Sequence, residues 1–296
     1  MQFVTFTDQA GQRIGVLDRA ALTIVDLAAA APELPRSLLE LIRLGEEGVL
    51  RAAQAAKSRL GRLPLSAVRL DAPIPRPAKN IFCVGKNYRE HAKEFHSSGF
   101  DSSAGADAVP EDPIIFTKSP TAVTGPGQPI PAHLDPTRSV DYEGELAVVI
   151  GMGGRGIAKE RAFDHVWGYT IVNDVTARTL QQRHKQWFLG KSIDGFCPMG
   201  PALVTRDEVP EVGKLRLTTR VNGELRQDAL VADLIFDIPC LIETLSRTMT
   251  LEPGDIIATG TPVGVGIGFQ PPKYLAKGDI VAVAIEPIGV LENPVA

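Results

Sequence analysis

From residue 80 onward the chain is a series of short apolar runs, IFCVG, PIIFT, ELAVVIG, GYTIVND, PALVT, LRLTTRVNG, DIIATG and DIVAVAIE, separated by Gly and Pro. Runs of this length between turn residues read as strands. Three segments there carry helical spacing instead: NYREHAKEF, AKERAFDHV and DIPCLIETLSRTM. Before residue 73 the texture is different. VTFTDQAGQRIGVLD places two apolar runs around Asp8-Gln9-Ala10-Gly11, a hairpin signal. SLLELIRLGEEGVLRAAQAAKSRL then has helical periodicity, broken near Gly45 and Gly48 and ending at Gly61. Between the two regions lies DAPIPRPAKN, where alternating Pro73, Pro75 and Pro77 impose an extended, stiff backbone. The pattern predicts an α+β, strand-dominated fold. Residues 1–72 form a small N-terminal α+β domain and residues 73–296 a larger strand-rich one.

Composition narrows the class without changing that picture. The chain has 296 residues, 44% hydrophobic and 22% charged, with net charge -4. That suits a globular protein with a sizeable core, and no dense basic block offers a nucleic-acid surface. No apolar run approaches the roughly 18 residues of a membrane span, and the first residues lack a basic start and an apolar signal core. Cys83, Cys197 and Cys240 are scattered, which argues against a disulfide framework and suits a reducing, cytoplasmic setting. The histidines show no zinc spacing. Residues 96–113, HSSGFDSSAGADAVPEDP, read as a surface loop.

Chemistry concentrates in Asp141–Gly156, DYEGELAVVIGMGGRG, which has two readings. Gly151-x-Gly153-x-x-Gly156 follows an apolar strand, and Asp174 closes the next strand 23 residues after Gly151, as in a dinucleotide-binding unit. Against this, the strands and helices do not keep alternating, as a doubly wound sheet requires. In the other reading, Glu143 and Glu145 are two apart on one strand and project to the same face. Two buried carboxylates repel, and a hard divalent cation relieves the cost. Asp174 is placed to join them if the two strands pair. Without such pairing the two glutamates are simply a solvated edge.

Other groups are less specific alone. His91 and Glu94 share a helix face at i and i+3, so Glu94 is able to orient an imidazole that acts as general base, or the pair is an ordinary charged surface. Lys118 in PIIFTK and Lys191 in WFLGKSIDGF are candidates to hold a carboxylate or polarise a carbonyl. Thr261 lies on a Gly-rich loop, ATGTPVGVG, and Gln181 in TARTLQ is a hydrogen-bonding candidate.

Taken in order, VGKNYREHAKEF, PIIFTKSPTAV, VDYEGELAVVIG, GYTIVNDVTARTLQ, FLGKSIDGFCPMGPALV and GDIIATGTPVGVG resemble the fumarylacetoacetate hydrolase family over about residues 80 to 290. The resemblance implies a mixed β-roll catalytic domain, a homodimer and a resident Mg2+, with Mn2+ or Ca2+ as variants. It implies metal ligands Glu143, Glu145 and Asp174, a catalytic group of His91, Glu94 and Lys191, and substrate contacts from Lys118, Gln181 and Thr261. The glycines of Gly151–Gly156 become structural. The implied activity is Mg2+-dependent hydrolysis of a carbon–carbon bond in a 2,4-dioxo acid, giving a pyruvate-type product and a carboxylic acid. The alternative on the same scaffold is an oxaloacetate decarboxylase or tautomerase, or a 2-hydroxymuconate-type isomerase.

Overall fold

In the computed structural model, which describes residues 1–101 and 108–296, one long mixed sheet organises the molecule. Its strands run in the spatial order Arg62–Pro64, Thr23–Asp26, Gly11–Asp18, Gln2–Asp8, Cys197–Thr205, Val166–Asn173, Gly144–Ile150, Ile256–Ala258, Ile81–Gly85 and Ile114–Lys118. The expected hairpin forms, with Asp8 opposite Gly11. Gln2–Asp8 then pairs antiparallel with Cys197–Thr205, so the N-terminal strands continue the sheet that carries the C-terminal motifs. Ile256–Ala258 pairs parallel with Ile81–Gly85, which makes the sheet mixed.

Gly144–Ile150 and Val166–Asn173 lie at the centre, and every residue in both is buried. This explains their continuous apolar runs: a strand covered on both faces has no polar face to show. Leu146, Val148 and Ile150 enter a core shared with the helix Ile238–Thr248 and with Leu217 and Val283 of a second sheet. Ala147 and Val149 point the other way, into a core roofed by Leu38, Leu41 and Ile42 of the N-terminal helices. The second sheet is antiparallel and four-stranded: Glu224–Leu230, Arg216–Val221, Ile280–Ile285 and Gly289–Pro294. It presses on Gly144, where an added Cβ would lie 2.3 Å from Thr219 Oγ1 and 2.9 Å from Val283 Cγ1. The residue between the two glutamates is therefore glycine because a sheet closes over it.

Several expectations are corrected. AKERAFDHV forms a 3-10 helix, Lys159–His165, not an α-helix. Two short helices, Arg178–Arg183 and Phe188–Lys191, went unforeseen because each is too brief to show a period. The N-terminal helical stretch splits as its glycines suggest, into Leu38–Arg43 and Gly45–Ala55. The segment read as a surface loop begins inside the helix Arg89–Ser97, and its residues 102–107 lie outside the described residues. Among the described residues no helix is long and apolar enough to cross a membrane.

The dinucleotide reading fails on topology and on hydrogen bonding. Gly144–Ile150 and Val166–Asn173 run antiparallel, whereas a nucleotide crossover joins parallel strands. The loop amides that would cradle a phosphate are already committed. Gly151 N–H donates to His165 O at 2.8 Å, Gly154 N–H to Leu251 O at 2.9 Å and Gly156 N–H to Ser246 O at 2.7 Å.

Candidate active site

The pairing that defeats one reading builds the other. Gly144 is opposite Asn173, so Glu143 and Asp174 meet where the two central strands end. Asp174 N–H donates to Glu143 O at 2.8 Å, and Asn173 Oδ1 accepts from Glu143 N–H at 3.0 Å. Glu143, Glu145 and Asp174 are all buried, and one carboxylate oxygen from each lies within 4.8 Å of the others. Burial pushes the Glu145 carboxyl well above its usual range, and Asp174 and Glu143 push it further. Burial acts the same way on Glu143, but Lys191 and Arg178 outweigh it and hold its pKa at about 2. A compact all-oxygen cluster with one carboxylate under like-charge strain fits a hard divalent cation.

Cations ring this cluster. Lys191 Nζ donates to Glu143 Oε2 at 2.7 Å and to Asp174 Oδ2 at 2.8 Å. Arg178 Nη1 lies 2.6 Å from Glu143 Oε1, and its Nε donates to Asp141 Oδ2 at 2.9 Å. Asp141 in turn accepts from Gly266 N–H at 2.7 Å and Ile267 N–H at 2.9 Å, tying the arginine to the Gly-rich loop. Lys118 is wholly buried and faces away from the cleft. Its Nζ donates to Asp174 Oδ1 at 2.7 Å, to Val175 O at 3.0 Å and to Lys191 O. An ammonium has three protons, so this one is fully used in fixing Asp174 and has none to offer a substrate.

The cleft beside the cluster is lined by His91, Arg178, Gln181, Lys191 and Thr261, with Glu143 at its base and Phe95, Phe116 and Trp187 as an apolar wall. His91 and Glu94 lie on Arg89–Ser97, with Nδ1 3.0 Å from Glu94 Oε2. That contact leaves Nε2 as the nitrogen for proton transfer. Trp187 packs edge-on to Phe116 at 5.2 Å and to Phe95 at 5.9 Å. A side chain at Gly85 would meet the Trp187 ring at 2.4 Å, so the end of Ile81–Gly85 is shaped around this wall.

The free hydrogen-bonding valences in the cleft are mostly donors. Lys191 has spent two of its three protons on carboxylates. Arg178 Nη2 is buried and has no protein partner among the described residues. Gln181 Oε1 accepts from Arg178 Nη1 at 3.3 Å, which turns its amide nitrogen outward. Thr261 Oγ1 donates to Gly144 O at 3.0 Å and accepts from Gln227 Nε2 at 2.7 Å, so it offers a ligand only a lone pair.

The structure thus gathers all nine sequence candidates around one centre, with Lys118 behind it and the other eight in or against the cleft. Sequence reasoning missed Arg178, Asp141, Gln227 and Lys86. Arg178 follows Asp174 by four residues in DVTAR, and a buried arginine there was the available signal. Asp141 and Gln227 reach the site only through long-range folding. Lys86 lines the cleft, pairs with Asp101 at 2.8 Å and has a left-handed φ of 56°. Such a backbone costs about 1–3 kcal/mol for a non-glycine residue and gathers at functional sites.

Known proteins converge on this arrangement. The model of the fumarylacetoacetate (FAA) hydrolase C-terminal family matches residues 80–296. The oxaloacetate tautomerase YisK of Bacillus subtilis (strain 168) is 54% identical over 286 residues, which span 92% of each chain. The solved fumarylacetoacetate hydrolase of Exiguobacterium antarcticum is 43% identical, with a TM-score of 0.84 covering 100% of this chain and 99% of that one. Maleylpyruvate hydrolase of Sphingobium sp. SYK-6, solved with manganese (II) ion and pyruvate, is 34% identical, with a TM-score of 0.80 over 100% and 99%. The family model covers most of the chain and these relatives align along nearly all of it: the chain belongs to the fumarylacetoacetate hydrolase family.

Proposed function

We propose that this chain is a divalent-metal-dependent tautomerase that interconverts the keto and enol forms of oxaloacetate or a closely related 2-oxo dicarboxylate. The observation that carries the proposal is the pairing of one proton-transfer group, His91, with a cleft whose open valences are cationic or amide donors. The 54% identity with an oxaloacetate tautomerase supports the same reading. Glu143, Glu145 and Asp174 would hold Mg2+ or Mn2+, which supplies Lewis-acid stabilisation of negative charge on the 2-oxo oxygen.

The protein's own residues account for the rest. Arg178 Nη2 and the Gln181 amide bind carboxylate oxygens of a dianionic substrate. His91 Nε2, with Nδ1 held by Glu94, removes a proton from the methylene carbon between the oxo group and the distal carboxylate. The electron pair of that C–H bond becomes the new C=C bond, and the carbonyl π electrons move onto the 2-oxo oxygen. The third proton of Lys191 faces the charge that gathers there. The proton taken up by His91 passes to that oxygen, which gives the enol and restores the neutral imidazole, and the reverse sequence restores the ketone. Lys118 acts behind the site by holding Asp174. The wall of Phe95, Phe116 and Trp187 keeps water from the reacting carbon.

The His91–Glu94 pair also favours a second reading, hydrolysis of a 2,4-dioxo acid, in which the imidazole deprotonates water. The fold's likeness to maleylpyruvate hydrolase gives that reading its support. One experiment separates them. Enol decay of oxaloacetate is followed in the ultraviolet, and pyruvate release is measured from oxaloacetate, acetylpyruvate and fumarylpyruvate, each with Mg2+ and with EDTA. Metal-dependent acceleration of enol–keto exchange, without release from the dioxo acids, is the expected result. Release from a dioxo acid with no effect on oxaloacetate exchange overturns the tautomerase assignment.

A further inference from the structure

The Gly-rich loop after Thr261 bears on the proton-transfer pair as well as on the substrate cleft. Glu94 is held from two sides: Oε2 faces His91 Nδ1 at 3.0 Å, and Oε1 accepts from Gly264 N–H at 3.0 Å. The short 3-10 turn Gly266–Gly268 packs directly over this carboxylate. A Cβ built on Gly268 would lie 2.0 Å from Glu94 Oε1, 2.4 Å from its Cδ and 2.6 Å from its Cγ. Gly268 is not among the residues with positive φ, so its backbone does not itself require glycine. The space that a side chain would fill is the space Glu94 fills.

From this we infer that Gly268 is a positioning residue for the His91–Glu94 pair: its missing side chain makes the slot in which Glu94 bridges the Gly-rich loop and the imidazole. The adjacent Gly264 differs in kind. It has φ +108°, and a Cβ there would lie 1.9 Å from the backbone oxygen of Arg226, so substitution would disturb the chain itself. At Gly268 the clash runs along the Glu94 side chain from Cγ to Oε1 and, among the nearest atoms, meets no backbone. Alanine there evicts the Glu94 carboxylate and leaves the fold standing. The turn also hangs from Asp141, which accepts from Gly266 and Ile267 N–H and from Arg178. Proton-transfer pair and anion-binding arginine are thereby registered to one loop.

The inference rests on the reading of His91 as the proton-transfer group, and the test separates the two. Gly268→Ala is compared with Glu94→Ala, His91→Ala and the double variant Gly268→Ala/Glu94→Ala in the Mg2+-loaded protein, whose metal is diamagnetic. Oxaloacetate tautomerisation is followed as kcat and KM, and the imidazole 15N–1H correlations are recorded with His91→Ala as the assignment control. Gly268→Ala is expected to lower kcat by about tenfold or more with KM little changed, and to remove the Nδ1–carboxylate signature from the His91 correlations. Mn2+ affinity and melting temperature stay at the parent values. In the Glu94→Ala background, Gly268→Ala costs nothing further, the non-additivity expected of a residue acting through its neighbour. A Gly268→Ala protein whose His91 correlations still show the Nδ1–carboxylate bond overturns the inference. So does an equal loss in the presence and absence of Glu94. Loss of that bond with unchanged tautomerase activity upholds the role of Gly268 and removes His91 from the proposed mechanism instead.

Discussion

Arg178 and Glu143 form a buried ion pair, Nη1 to Oε1 at 2.6 Å, in which the arginine Nη2 has no protein partner among the described residues. Its Nε is meanwhile spent on Asp141. One guanidinium thus neutralises a metal-ligand candidate, anchors the Gly-rich loop and presents a donor to the cleft. Arg178→Lys retains a charge but not the fork. It should lower kcat/KM for oxaloacetate by about 10- to 100-fold, mainly through KM, since one ammonium cannot hold Asp141 and Glu143 and still present a donor to the cleft. Arg178→Met leaves Asp141 without its arginine and Glu143 with Lys191 alone, and should cost about 3–5 kcal/mol in urea denaturation.

Lys118 gives a contrasting prediction. Its ammonium ends on Asp174 and on the carbonyls of Val175 and Lys191, none of them in the cleft. Lys118→Met should destabilise the protein by about 3–5 kcal/mol, as expected when one partner of a buried ion pair is removed. The KM of the enzyme that remains folded should be nearly unchanged. A large rise in KM with stability intact would place Lys118 at the substrate instead.

Glu145 makes the metal-depleted protein sensitive to pH in a direction opposite to Glu143. Burial first, then Asp174 and Glu143, raise its carboxyl well above the 4.5 of an unperturbed glutamate. A carboxyl raised on folding stabilises fully below about 4.5 and loses that contribution as pH climbs through its folded titration. Glu143, held at about 2, contributes above the unperturbed value and loses that contribution as pH falls towards its folded one. In EDTA the melting temperature should therefore drop on the alkaline side. Glu145→Gln should flatten that slope, and saturating Mn2+ should abolish it. Differential scanning fluorimetry at several pH values, with and without metal, reads all three.

Gly144 tests how closely the two sheets are set. Gly144→Ala drives a methyl into Thr219 Oγ1 and Val283 Cγ1. The expected cost is about 1–3 kcal/mol, the range for overpacking. Because Glu143 and Glu145 flank the residue, Mn2+ affinity measured by electron paramagnetic resonance should fall along with stability. A stable variant with parental metal affinity would show that the sheets yield.

The carboxylate triad was legible because two local rules sufficed for it. Period two aligns Glu143 with Glu145, and sheet pairing carries Asp174 to their side. The His91–Glu94 pair was legible from i, i+3 spacing on one short helix. The glycine motif matched only in its local pattern, and the lack of continued strand–helix alternation already spoke against it; strand direction, which distinguishes a nucleotide crossover from a meander, is not written in the spacing. Asp141 and Gln227 act through groups more than 30 residues away in the chain, as in the contacts Asp141–Arg178 and Gln227–Thr261, and no local period marks them. Lys118 was read as a group to hold a carboxylate or to meet a substrate, and it holds Asp174: a lysine at a strand end reads the same whether its tip meets a substrate or the back of an aspartate.

The seam between Gln2–Asp8 and Cys197–Thr205 means that the first strands of the chain hydrogen-bond directly onto a strand adjoining the one that leads into Asp174. The carboxylate cluster is thus joined to the amino-terminal hairpin through two strand seams, the first of them only two residue pairs long. Cooperativity therefore extends past the region matched by the family model. The chain should melt in one calorimetric transition, and metal loading should slow amide hydrogen exchange in residues 2–18 as well as in the central strands. Sequence drift in the hairpin then alters how firmly the distant carboxylates are held, so the amino-terminal segment becomes a place where metal affinity is tuned without a single ligand being changed.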